Sequence, residues 1–220
     1  MPNIRHFIIV LTLLVVAVAA ETTTRFFVPE KLKDNYETTY GKQAVRRLNS
    51  LLAMMEQQAG LSEDQIVINV NNFFNQLEYR SDLLTWNISD YWASRLEFLG
   101  KGQGDCEDYA VAKFLTMIQL GVPSEKLFLT YVRAVGFPEP AHLVTTYYKA
   151  PDTVPFVLDN YNKKILPATQ RPDLVPVYSF TAKDLYIQKQ HGLGKRVSRG
   201  LLKNQLNLKA IDIEIQEIEN

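Results

Sequence analysis

The hydrophobic pattern of this chain changes period once, at Gly121-Val122-Pro123. Upstream, apolar residues recur at helical spacing. Between Gly41 and Ala59, Val45, Leu48, Leu51, Leu52 and Met55 share one face, and Gly60 closes the segment. Ser62 with Gln65 three residues on is a capping-box signature for a second helix, striped by Ile66, Val67, Val70, Phe73, Phe74 and Leu77. Ser89 or Asp90 can start a short helix carrying Tyr91, Trp92, Leu96 and Phe98. A further helix runs from Asp105 through Val111, Phe114, Leu115 and Ile118 and stops near Gly121.

Downstream of Pro123 the pattern is that of strands. Leu127 to Val135 is rich in β-branched and aromatic residues, Gly136 to Pro140 is turn-like, and His142 to Tyr148 is strand-like again. Phe156 to Leu158 and Val175 to Phe180 add two more. Helices followed by a mainly antiparallel sheet make an α+β fold. Glu21 to Val28 reads as a flexible lead-in. The stretch from Lys195, with basic residues and spaced leucines and an acidic end, reads as a peripheral helix with a frayed tail.

Arg5 and His6 precede an apolar run from Phe7 to Val18, and Ala17-Val18-Ala19 and Val18-Ala19-Ala20 both fit the small-x-small rule for signal peptidase. The run is shorter than the roughly 20 residues of a membrane-spanning helix. Residues 1–20 therefore read as a signal peptide, with an uncleaved anchor as the alternative, and 21–220 as one exported domain. Lys+Arg and Asp+Glu both number 24, so there is no basic excess to favour nucleic acid.

The only cysteine lies in Gly104-Asp105-Cys106-Glu107-Asp108-Tyr109-Ala110. Gly102 and Gly104 permit a turn, Asp105 can cap the helix, and Cys106 then falls in the first helical turn, where the dipole favours thiolate. A small buried thiol is the plain alternative. Export weighs against it, because a single thiol outside the cytoplasm is exposed to oxidation with no partner in its own chain.

A nucleophilic thiol needs a base and a group to orient that base. His142 opens a strand beside a loop, and His191 falls in an exposed-looking loop with no role assigned. Asp159 ends the next strand, where an acid can sit beside a histidine on its neighbour. Cys106, His142 and Asp159 thus form a possible triad. Trp92 is either core or a wall of the cleft. Asp105, Glu107 and Asp108 either complement a helix dipole or bind a cation.

Three blocks, Gly104-Asp105-Cys106-Glu107-Asp108-Tyr109-Ala110, Ala141-His142-Leu143-Val144 and Val157-Leu158-Asp159-Asn160, together with Asp90-Tyr91-Trp92, resemble the bacterial transglutaminase-like cysteine proteinases. The resemblance implies a papain/transglutaminase-like core, with Cys106 as nucleophile, His142 as general base and then acid, and Asp159 orienting it. The oxyanion would meet the Cys106 N–H and a donor from Trp92 or Gln103. The resemblance also implies calcium dependence, with Asp105, Glu107 and Asp108 as ligands and carbonyls after Gly121 completing the shell. Such a cation would offset the repulsion that three carboxylates exert on a thiolate.

The implied activity is that of a periplasmic endopeptidase. Its substrate would be the N-terminal region of a large biofilm adhesin, cut at a paired-alanine site in a narrow cleft walled by aromatics such as Trp92 or Tyr109. Its inhibitory partner would be the periplasmic domain of an inner-membrane cyclic di-GMP receptor. A transglutaminase or amidase on the same core, and a non-catalytic calcium-dependent binding module, are the rival readings.

Overall fold

The computed structural model describes residues 24–137, 140–181, 184–188, 193–199 and 216–219. The signal peptide expected at 1–20 and His191 lie outside them. Strand β1 (Thr24–Phe27) leads into six helices: α1 (Glu30–Tyr40), α2 (Lys42–Glu56), α3 (Glu63–Phe74), α4 (Asp82–Trp86), α5 (Arg95–Lys101) and α6 (Cys106–Gln119). The short strands β2 (Glu78–Tyr79) and β3 (Gln103–Gly104) pair in parallel among them. Then come β4 (Leu127–Ala134), β5 (Ala141–Tyr147), β6 (Phe156–Leu158), β7 (Leu166–Pro167), β8 (Leu174–Phe180), β9 (Asp184–Gln188), β10 (Leu193–Arg199) and β11 (Gln216–Glu219). The main sheet is antiparallel with order β10-β9-β8-β4-β5-β6-β7, so the fold is α+β as the periodicity change dictates.

The α2 stripe buries Leu48, Leu51 and Met55 completely or nearly so. At the start of α3, Gln65 N–H donates to Ser62 Oγ while Gln65 Oε1 accepts from Ser62 N–H at 3.0 Å, which closes the expected capping box. α6 is buried on every side from Asp108 to Met117, because it packs on β4 and β5 with α3 and α5 against it. Thr145 Oγ1 on β5 donates to the Ala110 carbonyl of α6 at 2.8 Å. That bond ties the N-terminal part of α6 to β5.

Three local expectations give way to long-range contacts, and one helix forms that no local pattern announced. Residues 24–27 are not a loose lead-in but a strand paired with β11, and Phe26 and Val28 are buried in the main core. The tail does not begin as a helix, since Leu193–Arg199 extends the sheet beside β9. α1, unmarked by any strong stripe, is held by the Tyr36 hydroxyl donating to the Leu96 carbonyl at 2.9 Å. Residues 87–94 do not form a helix from Ser89 or Asp90. The Tyr91 and Ala93 N–H groups donate instead to the carboxylates of Asp82 and Asp108, and Ser94 caps α5 through its own box with Glu97.

Candidate active site

Cys106 is the first residue of α6, directly after Asp105 in extended conformation. Gly104 is required there: a Cβ at this position would lie 2.2 Å from Asp108 Oδ2 and 2.8 Å from the Phe98 ring. The half-buried Cys106 thiol donates to Glu107 Oε2 at 3.1 Å, and the Leu143 backbone N–H points at the sulfur. Burial, then the Glu107 charge and its hydrogen bond, push the thiol well above its ordinary range, and the Leu143 N–H opposes them only in part. Position at a helix start does not by itself make Cys106 a thiolate, because burial, reinforced by the neighbouring carboxylate, favours the thiol.

His142, next in the chain to Leu143, is the second residue of β5. Its side chain is fully buried and its Nε2 lies 2.8 Å from Asp159 Oδ1. The ring stacks on Tyr161 at 4.1 Å, and Tyr161 stacks on Phe137 at 4.7 Å. Burial alone would raise Asp159. The His142 bond and charge, the Tyr161 N–H and Arg171 outweigh it and hold the carboxyl well below the usual carboxylate range. An ionised Asp159 assigns the proton of the neutral ring to Nε2, leaving Nδ1 with the lone pair. Nδ1 is buried with no hydrogen-bond partner among the described residues.

Asp159 is held from both ends. Arg171 Nη2 donates to Oδ2 at 2.6 Å, and the Arg171 guanidinium is itself gripped by Asp173 through Nε at 3.0 Å and Nη2 at 2.7 Å. The Asp159 carbonyl accepts from Asn75 Nδ2 at 3.0 Å and from the buried Lys113 Nζ at 3.1 Å. None of these four supports is legible from spacing, since Asn75 comes from the end of α3, Lys113 from α6, and Arg171 and Asp173 from a loop before β8.

The acids around the thiol crowd together. Asp108 Oδ1 accepts the Ala93 N–H at 2.9 Å and Oδ2 the Asp105 N–H at 3.3 Å, and each oxygen keeps a further lone pair. Three overlapping clusters form, Asp82 with Asp90 and Glu107, Asp105 with Glu107 and the Cys106 sulfur, and Asp82 with Asp105 and Asp108, the ligand atoms of each group lying within 4.8 Å of one another. Asp82 and Asp90 were not marked by the sequence, because the cluster joins α4 and the 87–94 loop to the head of α6. Burial first, then neighbouring acids, push Asp82 up to about 6 and Asp105 up to about 8. Asp82 Oδ1 and Asp105 Oδ1 are buried with no hydrogen-bond partner among the described residues. Orphaned carboxylate oxygens among crowded acids are the donor set that a hard divalent cation satisfies. The loop after Gly121 cannot contribute carbonyls, because it lies at the far end of a 14-residue helix, about 21 Å away.

Trp92 is half-buried against the core just ahead of the Ala93 contact to Asp108. Gln103 lies on β3, three residues before the thiol, with its Oε1 accepting from Arg80 Nη1 at 3.4 Å. Tyr109 is core rather than a cleft wall: it is 3% exposed and its hydroxyl donates to the Leu77 carbonyl at 2.6 Å.

Residues 43–191 match the family model of the bacterial transglutaminase-like cysteine proteinases. No curated protein matches. Among solved structures, Legionella pneumophila LapG is 34% identical, covering 83% of this chain and 94% of its own, with a TM-score of 0.68. A calcium-bound form of that protein is 35% identical over 80% of this chain and 98% of its own at a TM-score of 0.67, and an EGTA-treated form gives 34% and 0.68 over 83% and 95%. The match over residues 43–191, with a fold shared with these structures, places the chain in the family of bacterial transglutaminase-like cysteine proteinases.

Proposed function

We propose that this protein is a calcium-dependent cysteine endopeptidase in which Cys106 attacks the scissile carbonyl, His142 moves the proton and Asp159 orients the imidazole. The observation that carries it is the His142 ring, bonded to an ionised Asp159 through Nε2 and buried with a vacant Nδ1 one residue from the backbone N–H that faces the sulfur. A histidine retained only for packing has no need of a vacant nitrogen, which argues against the binding-module reading.

The chemistry follows from these positions. His142 Nδ1 takes the thiol proton as the sulfur adds to the carbonyl carbon. The oxyanion meets the Cys106 N–H, one of the donors that a helix start leaves free, and a second donor from Gln103 or Trp92. His142 then protonates the leaving amine, and water activated by the same nitrogen hydrolyses the thioester. Asp159 stays ionised throughout and stabilises the imidazolium.

Asp105, Glu107 and Asp108 would hold the calcium, with Asp82 and Asp90 adding carboxylates from α4 and the 87–94 loop. Bound there, calcium would supply positive charge beside the thiol and offset the Glu107 carboxylate that accepts the thiol's hydrogen bond. The calcium-bound and EGTA-treated forms of LapG support this reading.

By family resemblance the substrate is the N-terminal region of a large surface adhesin, cut at paired alanines in the periplasm, and the inhibitory partner is the periplasmic domain of a cyclic di-GMP receptor. The test incubates the chain from Glu21 with its host's adhesin N-terminal region and a labelled amine, in calcium or EGTA, beside Cys106→Ala. New peptide ends that require Cys106 and calcium support the proposal. Label incorporation without cleavage would assign acyl transfer instead.

A further inference from the structure

A cavity of about 160 Å³ opens on the face of the main sheet turned away from α6. Strand alternation defines that face. Val132, Val144, Thr146 and Val157 line the cavity, whereas Leu129, Leu143, Thr145 and Leu158 turn to the helix side. Leu174 and Arg171 complete the wall nearest Asp159.

Most polar atoms in the wall are already satisfied. Thr130 Oγ1 lies 2.7 Å from both Thr146 Oγ1 and Ser179 Oγ. Arg171 is different. It is 2% exposed, its Nε and Nη2 are taken by Asp173 and Asp159, and its Nη1 is buried with no partner among the described residues. A buried N–H left unpaired carries a desolvation penalty that an acceptor oxygen would relieve.

Charge decides what kind of acceptor fits. The single positive charge of Arg171 already faces two carboxylates, Asp159 at 2.6 Å and Asp173 at 2.7 Å. A third anion would meet local negative charge with nothing left to balance it. An uncharged carbonyl oxygen takes the Nη1 hydrogen without that cost. The valine-lined body suits a branched aliphatic group, and a cavity of this size holds about six or seven non-hydrogen atoms, as a dry cavity of about 150 Å³ holds benzene.

We propose that this cavity is a binding site for a small uncharged molecule carrying one carbonyl oxygen on a branched aliphatic body, with Arg171 Nη1 as its hydrogen-bond donor. The site adjoins Asp159 through Arg171, and its occupant is distinct from the peptide being cut.

The experiment uses Cys106→Ala protein, so that binding is read apart from catalysis, and isovaleramide as the probe. Methyl and arginine side-chain NMR should show saturable shifts at Val132, Val144 and Val157 and a downfield move of the Arg171 Nη1 protons. Isovalerate, of the same shape but charged, should bind at least tenfold more weakly. Ala168→Leu, which adds bulk to a lining residue, should abolish the shifts while the spectrum stays folded; Ala168→Val, adding less, should weaken them and serves if the leucine variant fails to fold. No shifts at tens of millimolar isovaleramide would show that water alone occupies the cavity and would overturn the proposal. Equal or tighter binding of isovalerate, or shifts indifferent to both Ala168 variants, would do the same.

Discussion

Arg171 Nη2 donates to Asp159 Oδ2 at 2.6 Å, the carboxylate oxygen that His142 does not use. The carboxylate is thus fixed between a permanent cation and an imidazole, and its plane is set by both. Removing the guanidinium would free the carboxylate to rotate and strip away one of the interactions that keep it ionised.

Arg171→Met should lower kcat about 10- to 100-fold with little change in KM, because orientation of the base is lost while the substrate cleft is untouched. Stability should fall too, since Asp159 would remain buried with one partner fewer. The sign is that of a depressed carboxyl: the stabilisation is fully present above the unfolded value near pH 4 and is lost as pH falls through the lower folded value. The melting-temperature gap between Arg171→Met and the native protein should therefore narrow below about pH 4, and kcat of the variant corrected for folded fraction checks the first claim.

Glu107→Gln should make the thiol more reactive in the absence of calcium. Glu107 supplies both the largest charge effect raising Cys106 and the acceptor of its proton. In EGTA the rate of iodoacetamide alkylation should rise about tenfold over the native protein. Added calcium should speed alkylation of the native protein but not of the variant; equal native rates in calcium and EGTA would reject the coupling.

The acids can be told apart by where a neutral isostere acts. Asp82→Asn should weaken calcium binding at least tenfold by calorimetry, although Asp82 stands 24 residues before the thiol in sequence. Asp108→Asn should weaken calcium binding as well and also lower the melting temperature in EGTA, because its oxygens serve the Ala93 and Asp105 N–H groups besides facing Asp82 and Asp105.

Lys113 should be a source of instability below neutral pH. Burial lowers its pKa from the ordinary lysine value to about 7, against a smaller opposing effect of Asp159. Between about 7 and 10.5 the unfolded chain holds a proton there that the folded chain does not, so the penalty is complete below 7 and is relieved as pH rises towards 10.5. Lys113→Met, with Asn75 still bonded to the Asp159 carbonyl, should raise the melting temperature by several degrees at pH 6, and the gain should shrink by pH 10.

Features written in adjacent residues were readable before any coordinates. The Ser62 and Gln65 box, the α2 stripe, the start of α6 at Asp105 and the order of β4, β5, β6 and β8 all follow from spacing within a few residues. Where two local signals competed, context chose. Ser94 rather than Ser89 caps α5, because the N–H groups between them are drawn to Asp82 and Asp108.

The sequence by itself determined the class of fold, the placement of one thiol at a helix head and the residue types able to serve it, because these depend on periodicity and capping along the chain. Only the tertiary structure decided that burial holds Cys106 as a thiol, that Asp82 and Asp90 join its acids, and that Arg171, Asn75 and Lys113 fix Asp159. Those contacts join residues as far as 84 apart in sequence. The electrostatic environment of a buried group is the sum over whatever the fold packs against it, and no local pattern encodes that sum.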